Sequence, residues 1–296
     1  MDRDACEAHL GAWADQVVGS LPSGREIPAT AIALDGKTLR GSKKQGAPGT
    51  PLWSALAHQV GVTLAPPAVD DKTNEITAVE TSLQHLVLEG RIVTVDALLT
   101  QRHIAQTIVD KGGDDVMIVK ENQPQRRADS ELVCTLPPVG DSQATTRTVD
   151  LGHGRLAQRN LTTSEALVGY SDWPGLAQVF ELGRHVMFPK TGKERVAVVY
   201  GVTSLRPEQA PPERLLAWVR GQWQSEKKSH GVREVTFAED RSQVRCGNIP
   251  QVMAALRNTA IGLLRCAGYA NIAAAGRRLA AQPLQALALI GIALEN

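Results

Sequence analysis

Three acidic residues occupy positions from which their carboxylates could bind a metal ion. Asp35 follows the apolar run 31–34 and precedes a basic loop, and Asp96 follows the apolar run 92–95. Glu226 lies in an amphipathic segment, at a position where the helical period calls for an apolar residue. Two aspartates at strand ends and a glutamate that faces inward from a helix predict a Mg²⁺ site for phosphoryl transfer.

Each acid also has a simpler interpretation. Asp35 could form an Asp-Gly turn with Gly36, and Asp96 could cap a helix that starts near Thr100. Glu226 could pair with a buried arginine or lie at an exposed rim. The turn and the cap are the better interpretations of each aspartate alone, and the salt bridge is as good as the metal role for Glu226. The metal interpretation depends on the three acids occurring together.

Basic residues cluster beside these acids, although the formal net charge of the chain is only +1. A solvated surface is the simpler interpretation of any single cluster. A polyanion with metal-bound phosphates would meet both the cations and the metal ligands, which favours nucleic acid as the partner. The residues predicted to contact phosphate groups are Lys37, Arg40, Lys43, Lys44, Lys120, Arg126 and Lys227.

The composition indicates an ordinary globular chain. Its 296 residues are 43% hydrophobic and 21% charged. The four cysteines are widely scattered and form no CxxC pair, so we expect neither a zinc module nor a disulfide framework, and a reducing cytoplasm is the simplest location. The first residues do not resemble a signal peptide, and Arg265 interrupts the apolar stretch 261–275, so we expect no membrane span.

The elements that must position the acids alternate between strand and helix, which predicts an α/β sheet that is partly parallel. We predict strands at 29–34, 53–60, 62–64, 92–95 and 116–120, and helices at 78–88 and 101–110. A β-rich insertion is predicted at about 136–212, with antiparallel strands at 178–184 and 195–204. A helix follows from residue 213, on which one face carries Leu216, Val219, Trp223, Glu226 and His230. The tail at about 250–296 is mostly helical.

Several motifs together resemble the DDE transposases of bacterial insertion sequences, specifically the ISAs-type group that includes the H-repeat-associated proteins. The motifs are Leu34–Ser42, Lys72–Ile76, Val93–Ala97 with Thr100–Gln101, Val119–Pro124, His153–Arg155, and Val235–Ser242 running into Asn248–Val252. Their joint order is highly specific, and they cover nearly everything from Asp35 to Arg265.

The resemblance implies a ribonuclease-H-like fold, a mixed sheet flanked by helices with the β-rich insertion before the glutamate helix. It implies that Asp35, Asp96 and Glu226 form a catalytic triad that holds two Mg²⁺ ions, for which Mn²⁺ would substitute. The implied partner is double-stranded DNA, as element ends and target, with self-association on that DNA in the cytoplasm at the nucleoid. The implied organisation is a short N-terminal helix and linker at 1–28 and a catalytic domain at 29–296.

Two departures from the family pattern leave alternatives open. The family usually has a large aromatic residue after the histidine that follows the glutamate, whereas this chain has Gly231, and only 34 residues precede Asp35. We therefore expect a chain shortened at its amino terminus that binds DNA weakly and with little sequence preference. One alternative is a catalytically impaired remnant that binds DNA or a partner without cutting. A haloacid-dehalogenase-like phosphatase is disfavoured, because Lys37 stands where its second acid would be.

Overall fold

The computed structural model describes residues 31–38, 51–57, 63–65, 86–152, 154–244 and 249–292, with single positions at 9, 12, 79, 80, 83, 84 and 246. The description excludes the side chains of 36–38, 51–54, 56–57, 63–65 and 224–230. The chain divides into two compact units, the first containing residues 1–86 and 223–296 and the second containing residues 87–222. None of the helices in the described ranges is long and apolar enough to cross a membrane.

The strands of the described chain are β1 (Ala31–Thr38), β2 (Pro51–Ala57), β3 (Thr63–Ala65), β4 (Ile92–Val95), β5 (Asp114–Val119), β6 (Ala144–Gly152), β7 (Arg155–Ser164), β8 (Gln178–Phe188) and β9 (Lys193–Thr203). The α-helices are α1 (Arg102–Asp110), α2 (Pro124–Thr135), α3 (Pro212–Val235), α4 (Ile249–Cys266), α5 (Ile272–Ala281) and α6 (Pro283–Leu289). Short 3-10 helices cover Ala97–Leu99 and Glu239–Arg241.

In the first unit, β1, β2 and β3 pair in antiparallel fashion, with β2 in the middle. Residues 31–34 are buried, as their apolar side chains predict. The prediction that the strand ends before Asp35 is wrong, because the ladder with β2 continues to Thr38. Asp35 therefore lies inside β1, opposite Ser54.

The helical tail of the first unit packs around a small apolar cluster formed by Ile261, Leu264, Ile272 and Ala275. A buried ion pair lies just beyond the end of α3. Arg233 donates from Nε and Nη2 to both carboxylate oxygens of Glu239, at distances of 2.9 to 3.0 Å, and both side chains are almost fully buried. Arg257 approaches the same carboxylate at 3.5 Å. This bidentate geometry compensates the desolvation of both charges.

The second unit contains a mixed sheet in the order β4-β5-β9-β8-β7-β6. Strands β4 and β5 are parallel and are joined by α1, whereas every other neighbouring pair in this unit is antiparallel. Helix α1 buries Ile104, Ala105 and Ile108 and contacts β5. The strand predicted at 92–95 is confirmed, the helix predicted at 101–110 begins one residue later, and the strand predicted at 116–120 covers 114–119.

The β-rich insertion is also confirmed, as four antiparallel strands, β6 to β9. The strands predicted at 178–184 and 195–204 are β8 and β9, and β8 is four residues longer than predicted. Strands β6 and β7 and helix α2 were not predicted individually. The helix predicted at 78–88 is wrong at its end, because residues 79, 80, 83 and 84 are helical whereas 86–88 are not.

A buried aspartate lies in the centre of the second unit. Asp115, on β5, is fully buried, and among the described residues no donor makes a hydrogen bond of good geometry to either of its carboxylate oxygens. Burial and, to a lesser extent, the neighbouring Asp114 raise its pKa to about 8, against a smaller opposing effect of the Ser204 backbone. Asp115 therefore keeps its proton at neutral pH in the folded chain, where an unfolded aspartate has lost it.

We predict that Asp115→Asn stabilises the protein at neutral and alkaline pH. Between the unfolded pKa near 3.8 and the folded pKa of about 8, the folded state binds more protons than the unfolded state, so the native Asp115 makes stability fall as pH rises. The neutral amide removes this loss. We expect a gain of at least about 1 kcal/mol at pH 8, or about 2–4 °C in Tm.

The measurement is thermal unfolding of Asp115→Asn from pH 4 to pH 8, with Asp110→Asn at an exposed carboxylate as the matched control. The gain should be far smaller at pH 4, close to the unfolded pKa of 3.8, because little of the pH-dependent stability loss has accumulated there. A gain that is equal at both pH values would contradict the assignment.

Candidate active site

Asp96 is oriented by the backbone that follows it. The residue comes directly after β4 in an extended conformation, with φ −78° and ψ 172°. Its Oδ1 accepts hydrogen bonds from the amides of Leu98 (2.9 Å) and Leu99 (3.4 Å). Asp96 thus caps a helix as predicted, but that helix is the 3-10 helix Ala97–Leu99, which begins earlier than the predicted start near Thr100. No described residue donates a hydrogen bond to Oδ2, so this half-buried carboxylate has one oxygen left for a cation.

The turn after Asp96 is held from the loop that follows β5. Thr100 Oγ1 donates to the carbonyl oxygens of Asp96 (2.9 Å) and Ile118 (2.7 Å). In return, the Asn122 side chain donates to the Ala97 carbonyl at 2.5 Å, and that of Gln123 donates to the Thr100 carbonyl at 3.3 Å. The sequence motif Val119–Pro124 therefore positions the Asp96 turn, a role that the sequence alone did not reveal.

A buried hydrogen bond joins β4 to α3. Thr94 Oγ1, two residues before Asp96, donates to Gln222 Oε1 at 2.5 Å, across 128 residues of chain. Both side chains are almost completely buried. This contact fixes the point at which α3 meets the strand that ends at Asp96.

Glu226 lies within α3, four residues and about one turn after Gln222. The side chain of Glu226 lies outside the described ones, so its position on the face predicted from the helical period stays a prediction. The predicted apolar face is confirmed at Leu216 and Val219, which are buried. No role was predicted for Gln222 from the sequence. The available signal was a polar residue on the apolar face, three positions after Val219 and four before Glu226. Gly231 does not end the helix, which continues to Val235.

Asp35 is half-buried in β1 and is engaged in an interaction of its own. Asp35 and Glu226 belong to the first unit, and Asp96 belongs to the second. Among the described side chains, which exclude that of Glu226, no three histidines, cysteines or carboxylates lie close enough together to hold a metal ion. The convergence of the three acids stays a prediction.

The predicted phosphate contacts fall into three groups. Lys120 is exposed and follows β5 directly, where a phosphate could reach it. Lys37 lies in β1 and Lys227 in α3, with side chains outside the described ones. Arg40, Lys43 and Lys44 lie outside the described residues.

Arg126 is already engaged within the second unit. Its guanidinium lies 4.3 Å from the ring centroid of Trp173 and donates to Ser171 Oγ at 2.7 Å. Asp172 approaches it at 3.6 Å and also pairs with Arg102. Burial lowers the pKa of Arg126, and Asp172 counteracts the shift. These contacts indicate that Arg126 packs α2 onto the loop after β7, and a phosphate would have to compete with them.

Comparison with known proteins adds an independent finding. Residues 27–263 match the family model described as "Transposase DDE domain". The chain is 30% identical over 247 residues to "Putative transposase YncI" of Escherichia coli O157:H7, an alignment that covers 79% of this chain and 61% of that protein.

Two proteins of Escherichia coli strain K12 are similar to the chain to the same extent. The chain is 30% identical over 247 residues to "Putative protein YbfL" and 28% identical over 244 residues to "H repeat-associated putative transposase YhhI". Each alignment covers 79% of this chain and 63% of the relative. The chain thus spans about three fifths of the length of these curated relatives.

We predict that Thr94→Val destabilises the second unit. Valine keeps the branched shape but removes the hydroxyl, so the buried Gln222 loses this donor, at a cost of about 1–3 kcal/mol. The measurement is urea unfolding, with Thr145→Val as the control, because Thr145 is an exposed threonine that faces Thr162 on a neighbouring strand. If the two variants lose equal stability, the hydrogen bond does not hold α3 against β4.

Proposed function

Because the chain belongs to the transposase DDE domain family, we propose that it catalyses metal-dependent DNA strand cleavage and strand transfer, with Asp35, Asp96 and Glu226 as its catalytic acids. The family match and the mixed sheet flanked by helices confirm the predicted ribonuclease-H-like α/β fold. The domains of this family generally use divalent metal ions. Mg²⁺, replaceable by Mn²⁺, is the proposed metal.

The observation that carries this proposal is the hydrogen bond between Thr94 and Gln222. It holds the strand that leads into Asp96 against the helix that contains Glu226, at a point two residues before one acid and four before the other. If the two acids, 130 residues apart, had unrelated roles, a buried hydrogen bond between the strand before one and the helix that contains the other would not be required. The Oδ2 of Asp96, which accepts no hydrogen bond from the part of the chain that the structure describes, supports a metal-binding role in the same way, because a carboxylate used only as a cap needs one oxygen.

The donor set suits a hard divalent cation, since carboxylate oxygens are the ligands that Mg²⁺ prefers. Bound ions would activate water or a DNA 3′-hydroxyl and stabilise the leaving oxygen in an in-line displacement at phosphorus. Asp35, Asp96 and Glu226 would together hold these ions. The 3-10 helix amides keep the Asp96 carboxylate in one orientation, so it need not be ordered when the metal binds.

The proposed substrate is double-stranded DNA, as the ends of an insertion element and as target. Lys37, Arg40, Lys43, Lys44, Lys120 and Lys227 would contact backbone phosphates, with Arg126 available only if it leaves Trp173. Phosphate contacts position a protein on DNA without reading its sequence. Recombination of two element ends by one kind of chain would also require self-association on the DNA, which we include in the proposal.

We predict that Asp35→Asn abolishes Mg²⁺-dependent and Mn²⁺-dependent nicking of supercoiled plasmid. The amide cannot supply the charge that metal binding requires, whereas DNA affinity should stay similar or rise slightly, because a negative charge is removed beside the phosphates. The control is Asp110→Asn, which removes one exposed carboxylate from α1 and should nick normally.

Nicking that survives in Asp35→Asn would point to another active centre or a contaminating nuclease. If the unmodified chain binds DNA but never nicks it with either metal, the chain is a catalytically impaired transposase relative, and the proposed activity is wrong.

A further inference from the structure

The sheet formed by β6 to β9 has two faces of opposite electrostatic character. The register of the four strands places alternate residues on opposite faces. One face carries five cationic side chains and a single carboxylate, and we call it the arginine face: Arg155, Arg159, Arg184, Lys193, Arg195 and Asp150. The other face carries Arg147 with Glu181, Glu194 and His185, and there His185 pairs with Glu194 at 2.9 Å.

In the inner part of the arginine face, Arg159 lies near two other guanidinium groups and one carboxylate. Arg159 and Arg184 lie directly opposite each other on β7 and β8. Arg159 pairs with Asp150, and Arg220 of α3 reaches the same Asp150 oxygen at 3.2 Å. Like charges directly opposite each other on neighbouring strands destabilise a sheet, and Asp150 can neutralise only one of the three cations.

Two of these guanidinium groups also carry unsatisfied polar atoms. The Nε atoms of Arg159 and Arg184 are buried without a hydrogen-bond partner. Burial lowers the pKa of Arg159, and the nearby charges of Arg220 and Arg184 lower it further, while Asp150 opposes the shift. The folded chain therefore bears a cost here that an added anion would relieve.

The outer part of the arginine face continues this positive charge to the surface. Lys193 and Arg195, at the start of β9, are exposed, and the Arg195 guanidinium lies 5.6 Å from the ring centroid of Phe188. Arg155 stands at the start of β7 on the same face and is half-buried. The positive charges thus extend from Arg220 of α3 along the strands to the ends of the hairpins. A polyanion requires such an extended row of cations.

We propose that the arginine face binds the phosphate backbone of the DNA substrate. The inference rests on the proposed function for the identity of the polyanion, because α3 supplies both Arg220 and Glu226. DNA held on this face would meet Arg220, which belongs to the same helix as a proposed catalytic acid. An acidic protein segment is the other class of polyanion, and the experiment below distinguishes it.

The test measures the binding of a labelled DNA duplex at several salt concentrations, without divalent metal, for the full chain and its variants. Arg195→Gln should reduce the slope of log affinity against log salt by about 1, and the double variant Lys193→Gln with Arg195→Gln by about 2. The matched control is Arg147→Gln, which removes one cation from the opposite face of the same sheet and should leave the slope unchanged. Circular dichroism checks that all variants fold.

Each outcome decides one question. If the unmodified chain binds the duplex and the arginine-face variants behave like Arg147→Gln, this inference is wrong, whereas the proposed activity stands or falls on the nicking assay. If the variants lower the slope but no chain nicks DNA, the face binds DNA and the proposed activity fails. Competition by polyglutamate as strong as that by unlabelled DNA would overturn the inference in favour of an acidic protein partner.

Discussion

The buried hydrogen bond between Thr94 and Gln222 is the constraint on which the geometry of the second unit depends. A hydroxyl and an amide removed from water must find each other, because a failed pairing leaves polar atoms buried and unsatisfied. The partners come from a strand and a helix that are 128 residues apart, so the contact fixes a register that apolar packing alone would leave adjustable. The cap on Asp96 and the side chains of Asn122 and Gln123 extend this order into the adjoining turn.

The buried charges in the two units are stabilised in different ways. Glu239 is met by opposite charges, because Arg233 donates to both of its oxygens and Arg257 lies nearby. Asp115 has no such partner and remains protonated instead. The Arg159 guanidinium can do neither fully, because arginine does not lose its proton and Arg159 shares Asp150 with Arg220. Of these three arrangements, only the third leaves positive charge that can attract an anion from outside the chain.

Sequence patterns predicted those elements whose structure depends mainly on residues close to one another in the chain. The run 92–95 and the helix after it follow directly from apolar periodicity, and the Asp96 cap follows from the placement of an acid at a strand exit. Long-range pairing decided what was missed. Strand β1 continues past Asp35 because β2 offers it a ladder, and β6 is recognisable only through its pairing with β7, since its own residues are mostly polar and exposed. The arginine face needs residues from three strands and α3, a combination that no sequence window contains.

The cap that Asp96 provides changes what the presence of this residue means among related sequences. Replacing an aspartate cap costs about 0.5–2 kcal/mol of stability, enough for selection to retain it wherever the fold is retained. A descendant that had lost all cleavage activity would still be selected to keep Asp96 for folding alone. The presence of Asp96 in a related sequence is therefore weak evidence that the protein still cuts DNA. Asp35, which lies within a strand and not at the start of the capped 3-10 helix, is the more informative position.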